Sequence, residues 1–346
     1  MSELLQKIER ATAGAFYDQT GRNEGKTHQC HPMRILLEGT CSFDCKYCEV
    51  CTRCRGINFT PAELAHGFLE LHRQDKVGGL LLSTGIPRGD VDLGMENLIE
   101  TARLIRGAGF NGYLHLKVLP GANRSDILEL AKYATRLSIN LEAPDASHLA
   151  ELASVKDYRN DLLTRHKWLS EIMPKAHSTQ FVVGAADETD AEIFKTVMTT
   201  YEKYNPARVY YSAFHAVERT PLEHHVNTPL WRANRWYQVD ALLRVYGYSR
   251  RETEPVFDEE GFLMNTDPKV LLAENLAPVN PAKAKFEELL RVPGIGEAGA
   301  RNIVQRRKSE DVQNTGVLKS CGVIMTRALP YLSLGKTKQT RLSLFG

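Results

Sequence analysis

The sequence predicts an α/β fold, a partial (β/α)6 barrel followed by a small α-helical domain. Three observations predict it. Six short apolar runs recur along the first two thirds of the chain, amphipathic stretches lie between them, and the pattern breaks into short helical pieces after about residue 250. The runs are MRILLE (33–38), GLLLS (79–83), YLHLKV (113–118), RLSIN (136–140), QFVVG (180–184) and RVYYS (208–212). Continuous apolar runs of this length read as buried parallel strands. The helical patterns are Pro61–Arg73, Glu96–Gly107, Ile127–Ala134 and Asp190–Tyr204. Thr60-Pro61-Ala62-Glu63 opens the first of them with a cap, a proline at the first position and an early acid. A barrel of this kind places its chemistry on the loops at the C-terminal ends of its strands. Arg250–Asp267 reads as a charged loop, and Leu276-Ala277-Pro278 as a boundary. The expected organisation is an N-terminal extension (1–32), the barrel (33–275), a helical module (276–334) and a basic tail (335–346). The sequence displays no internal repeat.

Bulk composition narrows the class. With 42% hydrophobic and 25% charged residues, the 346-residue chain can bury a sizeable core. The net charge of +2 gives no whole-chain signal for nucleic acid, so such a case rests on local charge. No apolar run reaches membrane-spanning length, and MSELLQKIER is charged rather than signal-like. A cytoplasmic location is expected. Five of the seven cysteines fall between Cys41 and Cys54. A disulfide framework would spread them, so clustered cytoplasmic cysteines point to metal.

Cys41, Cys45 and Cys48 have the spacing C-x3-C-x2-C directly after the first strand. Three thiolates on one loop hold three irons of a [4Fe–4S] cubane and leave the fourth without a protein ligand. An open position marks chemistry rather than structure. S-adenosylmethionine (SAM) can chelate that iron through its amino and carboxylate groups, and an electron from the cluster then yields a 5′-deoxyadenosyl radical. An external electron donor is implied. The alternative is a structural zinc site built from Cys48, Cys51 and Cys54 with Cys30 or a nearby histidine; the loop position favours the cluster. Cys51 and Cys54 read as spare thiols, and Cys321 as a core thiol.

The strand ends supply a candidate cofactor pocket. Ser83-Thr84-Gly85 closes strand two, Lys117 ends strand three, and Asn140 with Glu142 ends strand four. Gln180 opens strand five and Gly184 closes it, where backbone through Glu188 can meet adenine. Tyr47, between the second and third cysteines, can pack beside adenine. Candidates for substrate contact are Tyr210–Phe214 and the segment with His215, Arg219 and His224.

The stretch Leu290–Ile303 reads as a helix-hairpin-helix around Pro293-Gly294-Ile295-Gly296. Backbone N–H groups at such a turn can hold a phosphate. Residues 283–308 carry seven Lys/Arg against three Glu, with Arg301, Arg306 and Arg307 closest to the motif. The expected partner is DNA, gripped by Pro293, Gly294, Gly296 and these arginines without base readout. The end of the tail, Arg341-Leu-Ser-Leu-Phe345, is similar to the short Leu/Phe peptide with which bacterial repair and replication proteins dock on the sliding clamp; Arg341 replaces the usual leading Gln.

These residues together resemble a known family, the radical SAM proteins described as DNA modification or repair enzymes, distantly similar to spore photoproduct lyase. The likeness runs through FTPAELA (59–65), LLLSTG (80–85), FNGYLHLKVLPGA (110–122), STQFVVGA (178–185), RVYYSAF (208–214), YQVDALLRVYGY (237–248) and VPGIG (292–296). It implies the partial TIM-like barrel, the cluster, SAM and a DNA or nucleotide substrate. One branch, in phages that hypermodify thymidine, isomerises Nα-glycinylthymidine to Cα-glycinylthymidine; a phage protein would work in the host cytoplasm. Three readings follow: that isomerase; a repair lyase that reverses a thymine lesion, with Tyr210, Tyr211 or Cys30 returning a hydrogen atom; and a DNA-binding adaptor whose metal cluster is only structural.

Overall fold

The computed structural model describes residues 3–13, 31–50 and 56–335. Cys30, Cys51, Cys54 and the Arg341–Phe345 peptide lie outside them. Six strands form one all-parallel sheet in sequential order: β1 (Pro32–Leu36), β2 (Gly79–Ser83), β3 (Tyr113–Lys117), β4 (Arg136–Ser138), β5 (His177–Val183) and β6 (Arg208–Ala213). Every neighbour pair is joined by a helical crossover, which makes the sheet an incomplete (β/α) barrel. The helices of this part are α1 (Glu3–Ala13), α2 (Pro61–Arg73), α3 (Val91–Gly107), α4 (Arg124–Ala131), α5 (Ala146–Leu152), α6 (Thr164–Ile172), α7 (Asp190–Tyr204) and α8 (Leu230–Arg244). Among the described residues no helix is long and apolar enough to cross a membrane.

All six expected strands are present. Strand five starts three residues earlier than its apolar run, so Gln180 lies in its middle rather than at its start. The polar pair Ser178-Thr179 reads as loop, yet β4 on one side and β6 on the other hold it in the ladder. α2 and α7 are closed by full capping boxes, Thr60 with Glu63 and Thr189 with Glu192.

The strands alternate sharply. Ile35, Leu80, Leu82, Leu114, Leu116, Leu137, Phe181, Val183 and Val209 are buried on the outer, helix-covered face. The residues one step away, among them Arg34, Ser83, Lys117, Arg136, Gln180, Arg208, Tyr210 and Ser212, are half-exposed on the inner face. A closed barrel fills its interior with branched apolar side chains. This one keeps a polar lumen.

The chain divides into two compact units, residues 1–233 and 234–346, with the division inside α8. The boundary expected near residue 275 does not coincide with it. Residues 246–276 pack with the C-terminal helices instead. Tyr246 and Leu276 lie against the core of Leu289, Leu290, Val292, Ile295, Ala300 and Ile303. Arg291 donates to the Tyr246 carbonyl (2.7 Å) and pairs with Glu252 (3.0 Å). The segment 250–267, expected as loop, carries α9 (Arg250–Thr253) and a 3-10 turn over Glu254–Val256.

The remaining helices of the second unit are α10 (Pro268–Leu272), α11 (Phe286–Arg291), α12 (Glu297–Arg306), α13 (Thr315–Ser320) and α14 (Met325–Ala328). They contain a repeat that the sequence hides. α11 and α12 meet at Gly294 (φ 82°), and α13 and α14 meet at Gly322 (φ 91°). Leu290, Ile295 and Ala300 of the first pair match Leu318, Val323 and Ala328 of the second, all buried. The Ile324 N–H donates to the Gly294 carbonyl (2.9 Å), joining the two turns. Cys321 and Ile324 stand where the first turn has Pro293 and Gly296, which erases the signal from the sequence. A Cβ at Gly294 would lie 2.6 Å from the Ile324 carbonyl, so both the space and the positive φ require glycine.

Candidate active site

Cys41, Cys45 and Cys48 follow β1 on its C-terminal loop, and all three line one cavity of about 470 Å³. The loop is held from several directions. The N–H groups of Phe43 (3.4 Å) and Ile86 (3.3 Å) donate to the Cys41 sulfur. Asp44 accepts from the Ser154 hydroxyl (2.5 Å) and from the N–H groups of Ser154 (3.2 Å) and Val155 (3.4 Å). Burial works against the Asp44 charge, but these donors hold its carboxyl below the ordinary range. Gly85 lies against the loop: a Cβ there would lie 2.0 Å from the Thr40 carbonyl. That close backbone approach is what the glycine permits.

Burial pushes the Cys45 thiol up and the Cys48 thiol up to about 12. Iron must therefore displace protons to bind. Among the described residues no three His, Cys, Asp or Glu side chains converge as the ligands of a single ion would. A cubane asks for something different, since each thiolate binds its own iron and the sulfurs must be spread. Three cysteines on one cavity wall, with N–H donors on a sulfur and a cation beside Cys45, fit that group. Cys41, Cys45 and Cys48 would hold three of its irons, and the fourth would be left without a protein ligand.

The cation is Lys156, which the sequence reading missed. It sits just past α5, and its side chain is only 6% exposed. Its ammonium lies 3.9 Å from Glu142, donates to the Tyr47 hydroxyl at 3.4 Å and bonds to Cys45. Burial opposes its charge, but Cys45 and Glu142 more than offset that and raise its pKa. Burial, with Glu142 next in order, keeps the Tyr47 phenol far above its usual titration range. No local motif marks Lys156; the signal is the fold that carries residues 154–156 under the cysteine loop.

The structure brings together most of the expected pocket. Tyr47, Ser83, Thr84, Gly85, Lys117, Asn140, Glu142 and Gln180 all line the same cavity as the cysteines. Glu142 lies beyond β4 rather than at its end, in a left-handed backbone (φ 64°) bridged to Phe181. Gln180 donates to the Ser212 hydroxyl (2.7 Å) on β6. Gly184 is not in the lining: its N–H donates to Glu188, and its carbonyl is met by His225 at 3.2 Å. The 184–188 turn thus spends backbone groups on Glu188, whose carboxylate also accepts from the Ala186 N–H (3.0 Å).

Of the residues considered for substrate, Ser212, Ala213, Phe214 and His215 reach the cavity. Arg219 and His224 do not line it, and His224 is 94% exposed beside Glu223. Tyr210 is on the inner face but does not line the cavity; its hydroxyl accepts from Arg136 (3.3 Å). Tyr211 is on the outer face, fully buried and stacked with Phe181, which removes it from any role in the lumen.

In the second unit, Gly296 begins α12 after the Gly294 turn. Arg301 pairs with Glu297 and stays exposed, and Arg306 donates to Ser320 (2.7 Å) beside Glu310. Arg307 donates to the Ala284 carbonyl (2.5 Å), so it serves the packing of this unit more than an outside partner. Lys269 lies behind the turn, donating to the Ile295 carbonyl (2.5 Å) over the Tyr246 ring.

Comparison with known proteins fits this geometry. Residues 37–199 match the model of the Radical SAM superfamily. No curated protein matches the chain. Among solved structures it is similar to HydG, a maturase of the [FeFe]-hydrogenase, at 12% identity and a TM-score of 0.52, over 70% of this chain and 61% of HydG. The chain therefore spans about three fifths of that relative. Weaker likenesses are to Streptococcus suis SuiB bound to S-adenosylmethionine (15% identity, TM-score 0.47, 62% of this chain and 49% of SuiB) and to a radical SAM methyltransferase from Sphaerobacter thermophilus (14%, 0.46, 60% and 62%). The first unit thus carries a radical SAM superfamily domain across residues 37–199, and its cofactors are a [4Fe–4S] cluster and S-adenosylmethionine.

Proposed function

We propose that this chain is a radical SAM enzyme acting on a base in DNA, and that its reaction is the isomerisation of Nα-glycinylthymidine to Cα-glycinylthymidine. The observation that supports a DNA substrate is the second unit. It joins a glycine turn at Pro293–Gly296, a helix start at Gly296, the exposed Arg301 and the half-exposed Arg306 in what we read as one small helix-hairpin-helix. Such a surface grips phosphates without reading sequence. The cofactors supply a carbon-centred radical. This chain's residues position it: Cys41, Cys45 and Cys48 hold the cluster, Ser83, Thr84 and Lys117 stand where SAM would lie, and Glu142, Lys156 and Tyr47 keep that end of the cavity charged and ordered. A target base in a duplex must leave the stack to reach it. Removal of hydrogen from carbon lets the glycine migrate without a charged intermediate. The tail peptide Arg341–Phe345 adds a docking site for the sliding clamp in this reading.

One observation favours a second reading, repair of a thymine lesion: Tyr210 is on the same face of the sheet as the cavity-lining Gln180, a side from which a tyrosine could return a hydrogen atom. The two separate by substrate. Anaerobically reconstituted protein with dithionite should release 5′-deoxyadenosine with DNA that carries glycinylthymidine, and not with ultraviolet-damaged DNA. The reverse result establishes repair, and release with neither removes both. Arg301→Gln and Arg306→Gln should each weaken duplex binding and lower the salt slope by about 0.9. Unchanged slopes would remove the DNA surface from this unit.

A further inference from the structure

Each cysteine sulfur of the loop has a hydrogen-bond donor, and the donor at Cys45 differs in kind from the others. Cys41 is met by the N–H groups of Phe43 and Ile86, and Cys48 by the N–H of Val50. At Cys45 the donor is the Lys156 ammonium, a full charge rather than a peptide dipole. The segment that carries Lys156 is docked on the cysteine loop. The Lys46 N–H donates to the Leu152 carbonyl (2.8 Å), and Asp44 accepts from Ser154 and Val155. The ammonium is therefore fixed relative to the sulfurs. It is buried with the Tyr47 ring at 5.8 Å and the Glu142 carboxylate at 3.9 Å. Lys156 and Glu142 both line the cavity that holds the three cysteines.

Neutralising Glu142 is one use for a buried ammonium, but that use does not need Cys45. A fixed cation on a ligand sulfur has a consequence of its own. A cubane with three thiolates carries net negative charge, and one-electron reduction adds to it; net charge and hydrogen bonds to the sulfurs are what set its potential. A neighbouring cation favours the reduced form over the oxidised one, and burial strengthens the effect because little water screens it. We propose that Lys156 is a positioning residue for the electron: held on the Cys45 sulfur, it raises the reduction potential of the cluster, and Glu142 beside it limits the rise. The step is the gain of one electron from an external low-potential one-electron donor; no bond of the protein forms or breaks. The pair sets the potential between two demands. Set too low, the electron does not enter; set too high, it does not pass on to the sulfonium. This assignment rests on the radical SAM domain and its cluster, and not on the DNA-base reading.

The test is a redox titration of the full-length, cluster-loaded protein, followed by electron paramagnetic resonance and run without SAM so that no turnover occurs. Lys156→Met should lower the potential, with the ratio of reduced to oxidised cluster at a fixed applied potential falling about tenfold. Glu142→Gln should shift it the opposite way. Lys156→Arg should return most of the parent value, because the charge is kept. Iron and sulfide content per chain should match the parent in all three. Opposite shifts from two neighbouring residues support the assignment, since a packing role alone would not produce them. Parent-like potentials in both neutral variants, or shifts of the same sign, overturn it. A Lys156→Arg potential as low as that of Lys156→Met also overturns it. If Lys156→Met loads no cluster, Glu142→Gln decides: a raised potential supports the assignment and an unchanged one overturns it. Every one of these results leaves the DNA reading to the duplex measurements.

Discussion

On the outer face of the sheet, Leu82, Leu116, Phe181 and Val209 are sealed under helices; one residue away along the same strands, Ser83, Lys117, Gln180 and Tyr210 stand open to a lumen. The outer face carries the burial energy of the barrel. The inner face contributes little to it and is therefore available for ligands. Adjacent residues in one strand thus answer to different constraints, and a one-residue shift of register would exchange them.

The largest expected effect lies at the mouth of the inner face. Cys45→Ala should abolish both the brown absorbance of the reconstituted cluster and SAM cleavage, with the fold retained by circular dichroism. Retained cleavage would remove Cys45 from the ligand set. Next comes the direct contrast between neighbours. Phe181→Ala should cost about 3–5 kcal/mol in urea unfolding, whereas Gln180→Ala should cost about 1 kcal/mol, the worth of its bond to Ser212. Equal costs would break the division of the faces.

A smaller effect comes from acid. His166, fully buried against His177 and Tyr204 on the outer side, has its pKa pushed down to about 3 by burial first and by His177 second. Its unfolded value is near 6.5, so the unfolded chain binds the extra proton between those limits. Stability from this group is complete above about pH 6.5 and falls as the pH drops towards 3. At pH 5 the loss is about 2 kcal/mol, and His166→Phe should flatten that part of the profile in urea titrations at pH 7 and 5.

Much of this was legible beforehand because it is local. Period and length located all six strands, Thr60 and Glu63 announced α2, and the cysteine spacing stated its own chemistry. The misses have a common physical source, which is partnership over long sequence distance. Ser178 and Thr179 are strand only because two neighbours pair with them. Tyr210 and Tyr211 look alike in sequence, and register alone sends one into the lumen and the other under the helices. Lys156 carries no motif and acts through where α5 ends. The second turn, at Gly322, has Cys321 and Ile324 where the first has Pro293 and Gly296, and matches it only in the glycine and the buried positions.

The brace between Asp44 and Ser154 spans 110 residues of sequence. During synthesis the three cysteines leave the ribosome long before their support exists, because β2, β3, β4 and α5 must first be made and placed. Until then Asp44 lacks the donors of Ser154 and Val155 that hold the loop in the folded chain. Loading iron and sulfide thus belongs after the barrel has closed around residue 154, as a late maturation step on a folded apoprotein. A nascent chain stalled before α5 should take up no cluster, however much iron and sulfide surrounds it.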